Sequence, residues 1–334
     1  MYIAFEDMKH EIKQAFLRNG LSEEQAELCS QVHTENSRDG IESHGLNRVP
    51  RFLNYVKKGW INLDAELELV NSFGVVEQYD GHRGIGIINA KKASQRAIEL
   101  AKENGVGIVA LRNTTHWMRG GTYILDMINE GLMGISWTNT ESCMPAWGSA
   151  NQNIGNNPIC MGIPREEGPF LLDMAASQFS WGKIQVTRLA EKQLPFAGGF
   201  DSEGNVTTDP GKIEDSGRIM PMGYWKGSSF AILLDLFGSV LANGNTTAMM
   251  DEINQGSCTG CSQIFMAFDP KRFMTEEQME SIIQGTVDQL RNSTPIQEGT
   301  TVRYPGEGQA SARERSKTEG IHADDSVWEK VKSL

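Results

Sequence analysis

The chain has 334 residues, of which 39% are hydrophobic and 22% are charged, and its formal net charge is -12. This composition predicts a folded protein with a substantial core, and the acidic balance argues against nonspecific binding to nucleic acid or to an anionic membrane. Five cysteines are too few for a disulfide scaffold, and the first residues lack the basic and apolar segments of a secretory signal, so we expect a cytoplasmic protein.

Helices are predicted at the start of the chain. Apolar positions recur at helical spacing over residues 6–18, and Ser22 opens a capping box for a second helix that ends before Asp39. A third helix begins near Pro50, with the preceding residues either leading into it or forming its bent first turn. After this helical opening the pattern changes, which suggests a domain boundary near residue 75.

Strands and helices both follow the helical opening. Residues 66–69 alternate as a half-buried strand should, and the apolar run 230–242 is typical of a buried helix too short to span a membrane. Thr275 opens a further capping box, and residues 197–217 form a polar excursion with turns and a hairpin. The predicted strands are 66–69, 75–80, 106–111, 134–138, 171–176, 263–268 and 301–304.

A glycine-rich segment, Gly84 to Asn89, follows a predicted strand and opens a helix, as the dinucleotide-binding GxGxxG fingerprint does. Its third glycine is replaced by Asn89, and the next strand ends on Arg112 instead of the acidic residue that would hold a ribose. A glycine-rich helix entrance is therefore favoured over a Rossmann site.

Ser43-His44-Gly45-Leu46-Asn47-Arg48 combines a proton-transfer group with a carboxylate-binding group. If this segment is helical, His44 and Arg48 stand at positions i and i+4 and share one face. An imidazole titrates near working pH, and a guanidinium holds a carboxylate through two hydrogen bonds. The pair suits an oxo acid or a hydroxy acid, although spacing alone equally allows a turn-capping histidine and a solvated arginine.

Two later segments carry further candidate residues. His116 follows a buried strand and could assist His44, bind substrate or satisfy a core hydrogen bond. Trp225 and Lys226 precede the apolar helix, where the lysine and the free helix amides could cradle a phosphate and the indole could face a base. The alternative is an interfacial tryptophan beside a lysine that extends toward water.

Cys258 and Cys261 form a CxxC pair in a glycine-rich setting. With no second pair and no histidine nearby, a zinc site is not expected, and the flanking pattern of a thioredoxin-like protein is missing. We interpret them as two incidental thiols and predict no metal site.

Taken together, these segments resemble the malate/L-lactate dehydrogenase family that lacks a Rossmann fold. The resemblance covers essentially the whole chain, and within the family the strings 116–121 and 222–227 are similar to those of reductases of 2,3-diketo-L-gulonate. The segments that carry it are Ser43-His44-Gly45 with Arg48, Asn113 with His116, Gly155-x-Asn157-Pro158, Asp173-Met174-Ala175, Lys226-Gly227 and Pro305-Gly306-Glu307.

The resemblance implies an α+β fold in which NAD lies on a mixed, largely antiparallel sheet beside a smaller helical domain. It implies a homodimer, a helical domain over residues 1–75 joined by residues from about 285 to 334, and a NAD-binding sheet domain over residues 76–284. The implied cofactor contacts are Pro169, Phe170, Leu171, Leu172, Asp173, Met174, Ala175, Trp225, Lys226, Gly306, Glu307 and Gly308.

The reaction implied by the resemblance is hydride transfer from NADH to a ketone beside a carboxylate, with 2,3-diketo-L-gulonate as substrate. His44 would be the proton donor, Arg48 would orient the carboxylate, and His116 would bind the polyhydroxy chain or polarise the carbonyl. The carboxylate of Glu307 is expected to favour NADH over NADPH. The alternatives are a sibling malate, L-lactate or ureidoglycolate-type dehydrogenase, a noncatalytic carboxylate-binding sensor and, more remotely, a thiol oxidoreductase.

Overall fold

The computed structural model describes residues 1–256 and 258–334. The helices are α1 (Phe5–Arg18), α2 (Glu23–Arg38), α3 (Val49–Lys57), α4 (Gly86–Asn104), α5 (Gly121–Asn129), α6 (Trp181–Leu189), α7 (Pro210–Ser216), α8 (Trp225–Ala242), α9 (Thr247–Ile253), α10 (Glu276–Arg291), α11 (Glu307–Glu319) and α12 (Asp325–Ser333). The strands are β1 (Tyr2–Ile3), β2 (Glu68–Phe73), β3 (Val76–Asp80), β4 (Val106–Thr114), β5 (Met133–Thr138), β6 (Ile159–Ile163), β7 (Phe170–Met174), β8 (Gly199–Phe200), β9 (Val206–Thr207), β10 (Cys261–Phe268) and β11 (Ile321–His322).

A seven-stranded sheet in the order β2-β3-β4-β10-β5-β6-β7 organises the fold. Only the pair β3 and β4, joined by α4, is parallel, and the other neighbouring strands run antiparallel. Val109 and Leu111 of β4 pack with α4 and α5, whereas Ala110 packs with α8. Because successive side chains of a strand point to opposite faces, α4 and α5 cover one face of the sheet and α8 the other.

The first and last parts of the chain form a second, largely helical core. Strand β1 pairs with β11, and α12 packs against α1. Trp328 and Val331 of α12 join the buried cluster that contains Phe16 and Phe52. Strand β2 lies before the predicted boundary at residue 75 but belongs to the large sheet, and α10 packs near β6 and β7 through Ile283.

The secondary-structure predictions that rest on strong local sequence signals are correct. The capping boxes at Ser22 and Thr275 are both present, helix α3 begins beside Pro50, and strands β3, β4, β5, β7 and β10 lie near their predicted positions. The polar excursion contains the predicted hairpin, β8 with β9, and also α7, which was not predicted.

Three predictions are wrong. Residues 301–304 form no strand, because the chain there turns into α11. Strand β2 is exposed along its whole length instead of half-buried, and it forms an edge of the sheet. The apolar run 230–242 belongs to a helix that starts at Trp225, and one face of this helix is exposed instead of buried.

Among the described residues, α8 is the one helix that is long and apolar enough, by length and composition only, to cross a membrane. A single helix of this kind is also typical of a packed helix in a soluble protein. Here its inner face packs against β4, β5 and β10.

The glycine-rich entrance to α4 has a packing role. A Cβ atom on Gly86 would collide with the backbone carbonyl groups of Thr115 and His116. The Gly86 amide donates a hydrogen bond of 2.9 Å to the Thr115 hydroxyl. The glycine therefore lets α4 approach the segment that carries His116, which explains the pattern without a bound phosphate.

Candidate active site

His44 lies at the end of a short 3-10 turn, Glu42–His44, and Arg48 lies at the end of a second one, Leu46–Arg48. Gly45 separates the two turns in an extended, non-helical conformation. The segment is not a single helix, so the condition under which His44 and Arg48 would share one helical face is not met. The alternative in which residues 43–49 lead into a helix is confirmed.

The last turns of α2 hold the backbone around His44 through three hydrogen bonds. His33 Nδ1 donates to the Gly45 carbonyl at 3.0 Å, and Asn36 Nδ2 donates to the His44 carbonyl at 3.0 Å. Ser37 Oγ accepts from the Leu46 amide at 2.8 Å. These bonds fix the peptide on both sides of His44, so its imidazole starts from a defined position.

The rings of His44 and His116 are stacked, with their centroids 5.6 Å apart and an angle of 23° between their planes. Ser43 Oγ lies 3.1 Å from His44 Nδ1, and His116 Nδ1 accepts a hydrogen bond of 2.9 Å from the Met118 amide. Because Nδ1 of His116 is an acceptor, the proton of the neutral ring lies on Nε2. The structure thus brings together the two histidines that the sequence singled out.

Burial lowers the pKa of His44 to about 4, an effect that the charge of Arg48 reinforces and the charge of Asp173 opposes. Burial also lowers the pKa of His116 well below its usual value, again with the help of Arg48. Both rings are therefore neutral at pH 7 in the absence of ligand. A negative charge brought beside them would raise both pKa values.

The two histidines line a cavity of about 450 Å³. Asp173, Met174 and Ala175 of the predicted cofactor set line the same cavity. Arg48 does not; it borders a separate void behind His116, shared with Thr115. Other residues that line this cavity are Trp117, Arg119, Thr138, Thr140, Asn156, Lys183, Cys258, Gln263 and Gln309.

A larger and more open groove, of about 680 Å³, lies beside α4 and α5. Its basic side chains are already paired, since Lys91 contacts Asp126 at 2.8 Å and Arg96 contacts Glu77 at 2.8 Å. It holds no imidazole or thiol. Volume alone is therefore a poor guide here, and the smaller cavity has the groups needed for proton transfer.

One wall of the cavity is fixed by a buried ionic network that the sequence did not reveal. Arg119 contacts Asp39 at 2.9 Å and Asp173 at 3.1 Å, and Arg313 contacts Asp39 at 2.6 Å. Burial opposes the ionisation of Asp39, but the hydrogen bond from Arg313 and the charge of Arg119 hold its pKa below the usual range. The network joins the end of α2 to β7 and α11.

The predicted cofactor residues of β7 and α11 meet at a second cavity, of about 220 Å³, which Pro169, Leu171, Gly306 and Glu307 line. Gln309 borders both cavities. Gly306 has a φ of +107°, and a Cβ atom there would lie 2.9 Å from the Pro169 carbonyl oxygen. The two cavities therefore lie next to each other along β7.

Three other predicted cofactor contacts, Trp225, Lys226 and Glu307, either lie outside the two cavities or are already paired within the protein. Trp225 is 59% exposed at the start of α8, and neither it nor Lys226 lines either of the cavities along β7. The Glu307 carboxylate forms an ion pair with Arg291 and accepts a hydrogen bond of 2.8 Å from the Tyr304 amide. Its negative charge is therefore largely compensated, which weakens the argument that it repels a 2′-phosphate.

The cysteine pair has little thiolate character. Burial raises the pKa of Cys258 well above its usual value and that of Cys261 to about 12. Both thiols are free. A thiol oxidoreductase needs an accessible thiolate, and this geometry does not provide one, although Cys258 borders the cavity of His44.

Comparison with known proteins identifies the family of the chain. A family model described as malate/L-lactate dehydrogenase matches residues 3–332. The chain belongs to the malate/L-lactate dehydrogenase family. It is 40% identical to the 2,3-diketo-L-gulonate reductases of Citrobacter koseri and Klebsiella pneumoniae, and each alignment covers 100% of both chains.

Solved structures agree with the predicted fold. Sulfolactate dehydrogenase from Methanocaldococcus jannaschii is 29% identical with a TM-score of 0.87, and the match covers 100% of this chain and 96% of that one. Malate dehydrogenase from Entamoeba histolytica, at 23% identity, has the same fold, with a TM-score of 0.93 and coverage of 100% and 96%. The predicted α+β class with a largely antiparallel sheet is confirmed, and the protein is an oxidoreductase acting on CH-OH groups, of the 2-oxo acid dehydrogenase and reductase class.

Proposed function

We propose that the protein is an NADH-dependent reductase that converts 2,3-diketo-L-gulonate to 3-dehydro-L-gulonate. The observation that carries the proposal is the stacked pair of neutral imidazoles, His44 and His116, in a cavity shared with Asp173 of β7. The 40% identity to reductases of that name over the full length supports the choice of substrate.

His44 is the proposed proton donor. When bound, a reduced nicotinamide would supply the hydride that the ketone carbon needs. The protonated imidazole of His44 would give its proton to the ketone oxygen, so that the product is an alcohol. With a pKa of about 4, His44 is uncharged before substrate binds. The substrate carboxylate brings a negative charge into the cavity, which raises this pKa and lets the ring be protonated when the ketone is in place.

His116 and Arg48 have supporting roles in this proposal. His116 carries its proton on Nε2, because Nδ1 accepts from the Met118 amide, so it can donate to the carbonyl or to a hydroxyl of the substrate. Arg48 is the proposed partner of the substrate carboxylate. It borders the small void that shares His116 with the cavity of His44.

The proposed cofactor site follows β7 from Pro169 to Ala175 and continues to the start of α11 at Gly306–Gly308. Trp225 and Lys226 remain the proposed contacts at the start of α8. NADH is the proposed cofactor, with NADPH as a possible second one.

Replacing His44 tests the mechanism. In His44→Asn the general acid is lost, and turnover of 2,3-diketo-L-gulonate should fall by about a hundredfold to ten-thousandfold. NADH binding, followed by its fluorescence, should stay near the wild-type value. The matched control is His10→Asn, since His10 is exposed on α1.

Near-normal turnover by His44→Asn would exclude His44 as the acid. A panel of 2-oxo acids that includes pyruvate and oxaloacetate tests the substrate, because a sibling dehydrogenase would prefer one of these smaller acids. Binding of the acids without NADH consumption would favour a sensor.

A homodimer is the proposed assembly, with the outer face of α8 as the contact. Leu233, Leu236, Phe237 and Val240 on this face are 46–74% exposed, although the chain carries a net charge of -12. A contiguous apolar face of this kind is typical of a subunit interface, and a second copy presents the same face about a two-fold axis.

Light scattering coupled to size exclusion tests the dimer. Phe237→Glu with Val240→Lys should give a monomer, whereas Ile296→Lys, which changes an exposed residue outside this face, should leave the mass unchanged. A wild-type monomer would overturn the proposal. We also propose a cytoplasmic location, which five free cysteines support.

A further inference from the structure

Lys183 of α6 lines the cavity of His44 but takes no part in the reaction described above. The residue is exposed, so it stands where this cavity opens to solvent. A lysine ammonium carries a positive charge and three hydrogen-bond donors on a flexible stem. It can therefore turn toward an anion that enters the cavity.

The packing of α6 places Lys183 beside the turn that carries His44. A Cβ atom on the neighbouring Gly182 would lie 2.6 Å from the Cβ atom of Ser43, so α6 packs directly on the residue before His44. Ser43 Oγ in turn lies 3.1 Å from His44 Nδ1. The first turn of α6 is thus a fixed neighbour of the proposed proton donor.

The backbone of Lys183 is held on both sides. Its amide donates to Ser180 Oγ at 3.2 Å, and its carbonyl accepts from Thr187 Oγ1 at 2.7 Å. The next residue, Ile184, is fully buried and anchors the helix. The position of the lysine backbone is therefore defined, and only the side chain has to adjust to a ligand.

The other charged side chains that line this cavity already have partners. Arg119 contacts Asp173 at 3.1 Å, and Glu42 contacts His322 at 2.8 Å. Lys183 forms no ion pair or side-chain hydrogen bond with any residue in the described part of the chain. Its charge is therefore available to a bound molecule.

A free positive charge at this place suits an anionic ligand. The chain as a whole carries a net charge of -12, which disfavours the approach of an anion, and a cation at the opening counters this effect locally. Arg48, already proposed as a partner of the substrate carboxylate, borders the separate void behind His116. Lys183 adds a positive charge within the cavity itself.

Two anionic groups of the proposed complex fit this charge: the substrate carboxylate and the diphosphate of the cofactor. The proposed cofactor site continues from β7 to the second cavity at the start of α11, and Lys183 does not line that cavity. The carboxylate is attached to the carbon that reacts beside His44, so it has to lie in the cavity that Lys183 does line. The position of the lysine therefore favours the carboxylate.

We propose that Lys183 binds the carboxylate of the substrate through a charged hydrogen bond. This inference rests on the proposed 2-oxo acid reductase function and deepens it, because it adds a second cation to the recognition of the acid. A hydrogen bond between an ammonium and a carboxylate is stronger than one between neutral groups.

The test compares Lys183→Gln, which removes the charge but keeps a hydrogen-bond donor, with Lys183→Arg, which keeps the charge. We measure kcat and KM separately for 2,3-diketo-L-gulonate and for NADH. The matched control is Lys192→Gln, since Lys192 is an exposed lysine just beyond the same helix and does not line the cavity.

In Lys183→Gln, kcat/KM for 2,3-diketo-L-gulonate should fall by about tenfold to hundredfold, mainly through KM, as expected for the loss of one charged hydrogen bond. The KM for NADH should stay within about twofold of wild type, as for a surface substitution that removes no contact. Lys183→Arg should recover most of the loss, and Lys192→Gln should behave as wild type.

An unchanged kcat/KM in Lys183→Gln would overturn the proposal, because a contact with a neutral group would survive the loss of charge. A higher KM for NADH with an unchanged KM for the acid would also overturn it and would assign the lysine to a phosphate of the cofactor. A loss that Lys183→Arg does not recover would show a structural role instead of a charge.

The failure of the proposed function has a different signature, because the wild-type protein would then consume no NADH with the acid. Calorimetric titration of wild type and Lys183→Gln with 2,3-diketo-L-gulonate then tests Lys183 alone. Binding weakened about tenfold or more in the variant supports the charged hydrogen bond. Equal binding by the two proteins, or no binding by wild type, overturns it.

Discussion

The ionic network at Arg119 and the imidazole pair at His44 border the same cavity, but they treat charge in opposite ways. Asp39, Asp173, Arg119 and Arg313 are charged and paired within the protein. His44 and His116 are buried in a manner that keeps them neutral. The charged groups of the network are fixed by their pairing, which keeps the wall rigid. The two imidazoles can still gain or lose a proton.

This difference explains how a buried histidine can serve as an acid. The paired wall contributes Asp173, whose negative charge raises the pKa of His44 but does not offset burial and Arg48. In the proposed mechanism the final increment comes from the carboxylate of the substrate. Proton donation would then be coupled to the presence of an anion, which would limit unproductive protonation in the unliganded cavity.

The largest expected effect is on the paired wall. Asp39→Asn leaves Arg119 buried beside a neutral amide, and breaking a buried ion pair of this kind costs about 3–5 kcal/mol of unfolding free energy. Urea denaturation measures the change. The control is Glu130→Gln, which removes an exposed partner of Lys102 and should cost less than about 1 kcal/mol.

If Asp39→Asn lost no more stability than Glu130→Gln, the network would not be the rigid element that the comparison requires. A loss of stability without a change in the NADH-dependent rate per folded molecule would limit the network to a structural role.

The next largest effect concerns a third neutral histidine, His33, which is buried beneath the turn that carries His44. Burial lowers the pKa of His33 to about 4 from its usual value of 6.5. The unfolded chain binds more protons between these values, so the unfolding free energy is highest above pH 6.5 and falls as the pH drops toward 4. The loss attributable to His33 is about 3 kcal/mol.

His33→Asn isolates this contribution, because the amide can retain the donor to the Gly45 carbonyl but does not titrate. Denaturation at a series of pH values should give a smaller slope between pH 6.5 and 4 in the variant than in wild type. Identical slopes would show that His33 is accessible to protons in the folded state.

The smallest expected effect concerns Glu307. Its carboxylate is paired with an arginine, as the carboxylates of the cavity wall are. Because Arg291 already compensates its charge, Glu307→Gln should change the ratio of kcat/KM for NADPH and NADH by less than about fivefold. Arg291→Gln, which exposes the carboxylate, should disfavour NADPH more. A change of about tenfold or more toward NADPH in Glu307→Gln would restore Glu307 as the determinant of cofactor choice.

Local sequence patterns predicted the elements that depend on neighbouring residues. Capping at Ser22 and Thr275 and the buried strand β10 are encoded within a few positions. The ionic network is not, because Asp39 and Arg313 are 274 positions apart and meet only in the folded chain. Similarly, apolar periodicity in α8 could not reveal that one face lacks a partner within the chain.

The site was predicted in part for the same reason. His44 and His116 stand in distinctive strings, so their roles were inferred without a structure. Gln263 lies near the start of an ordinary buried strand, and no local pattern indicates that it borders the cavity of His44.

The pairing of β1 with β11 has a consequence for biosynthesis. Tyr2 lies opposite His322, and the terminal amine of Met1 binds Asp325 at 2.9 Å, so the ribosome emits the first strand long before its partner exists. Arg313, which completes the Asp39 cluster, also arrives late. Residues 1–3 therefore gain their strand partner, and Asp39 its contact with Arg313, only after residues 313–322 have been synthesised.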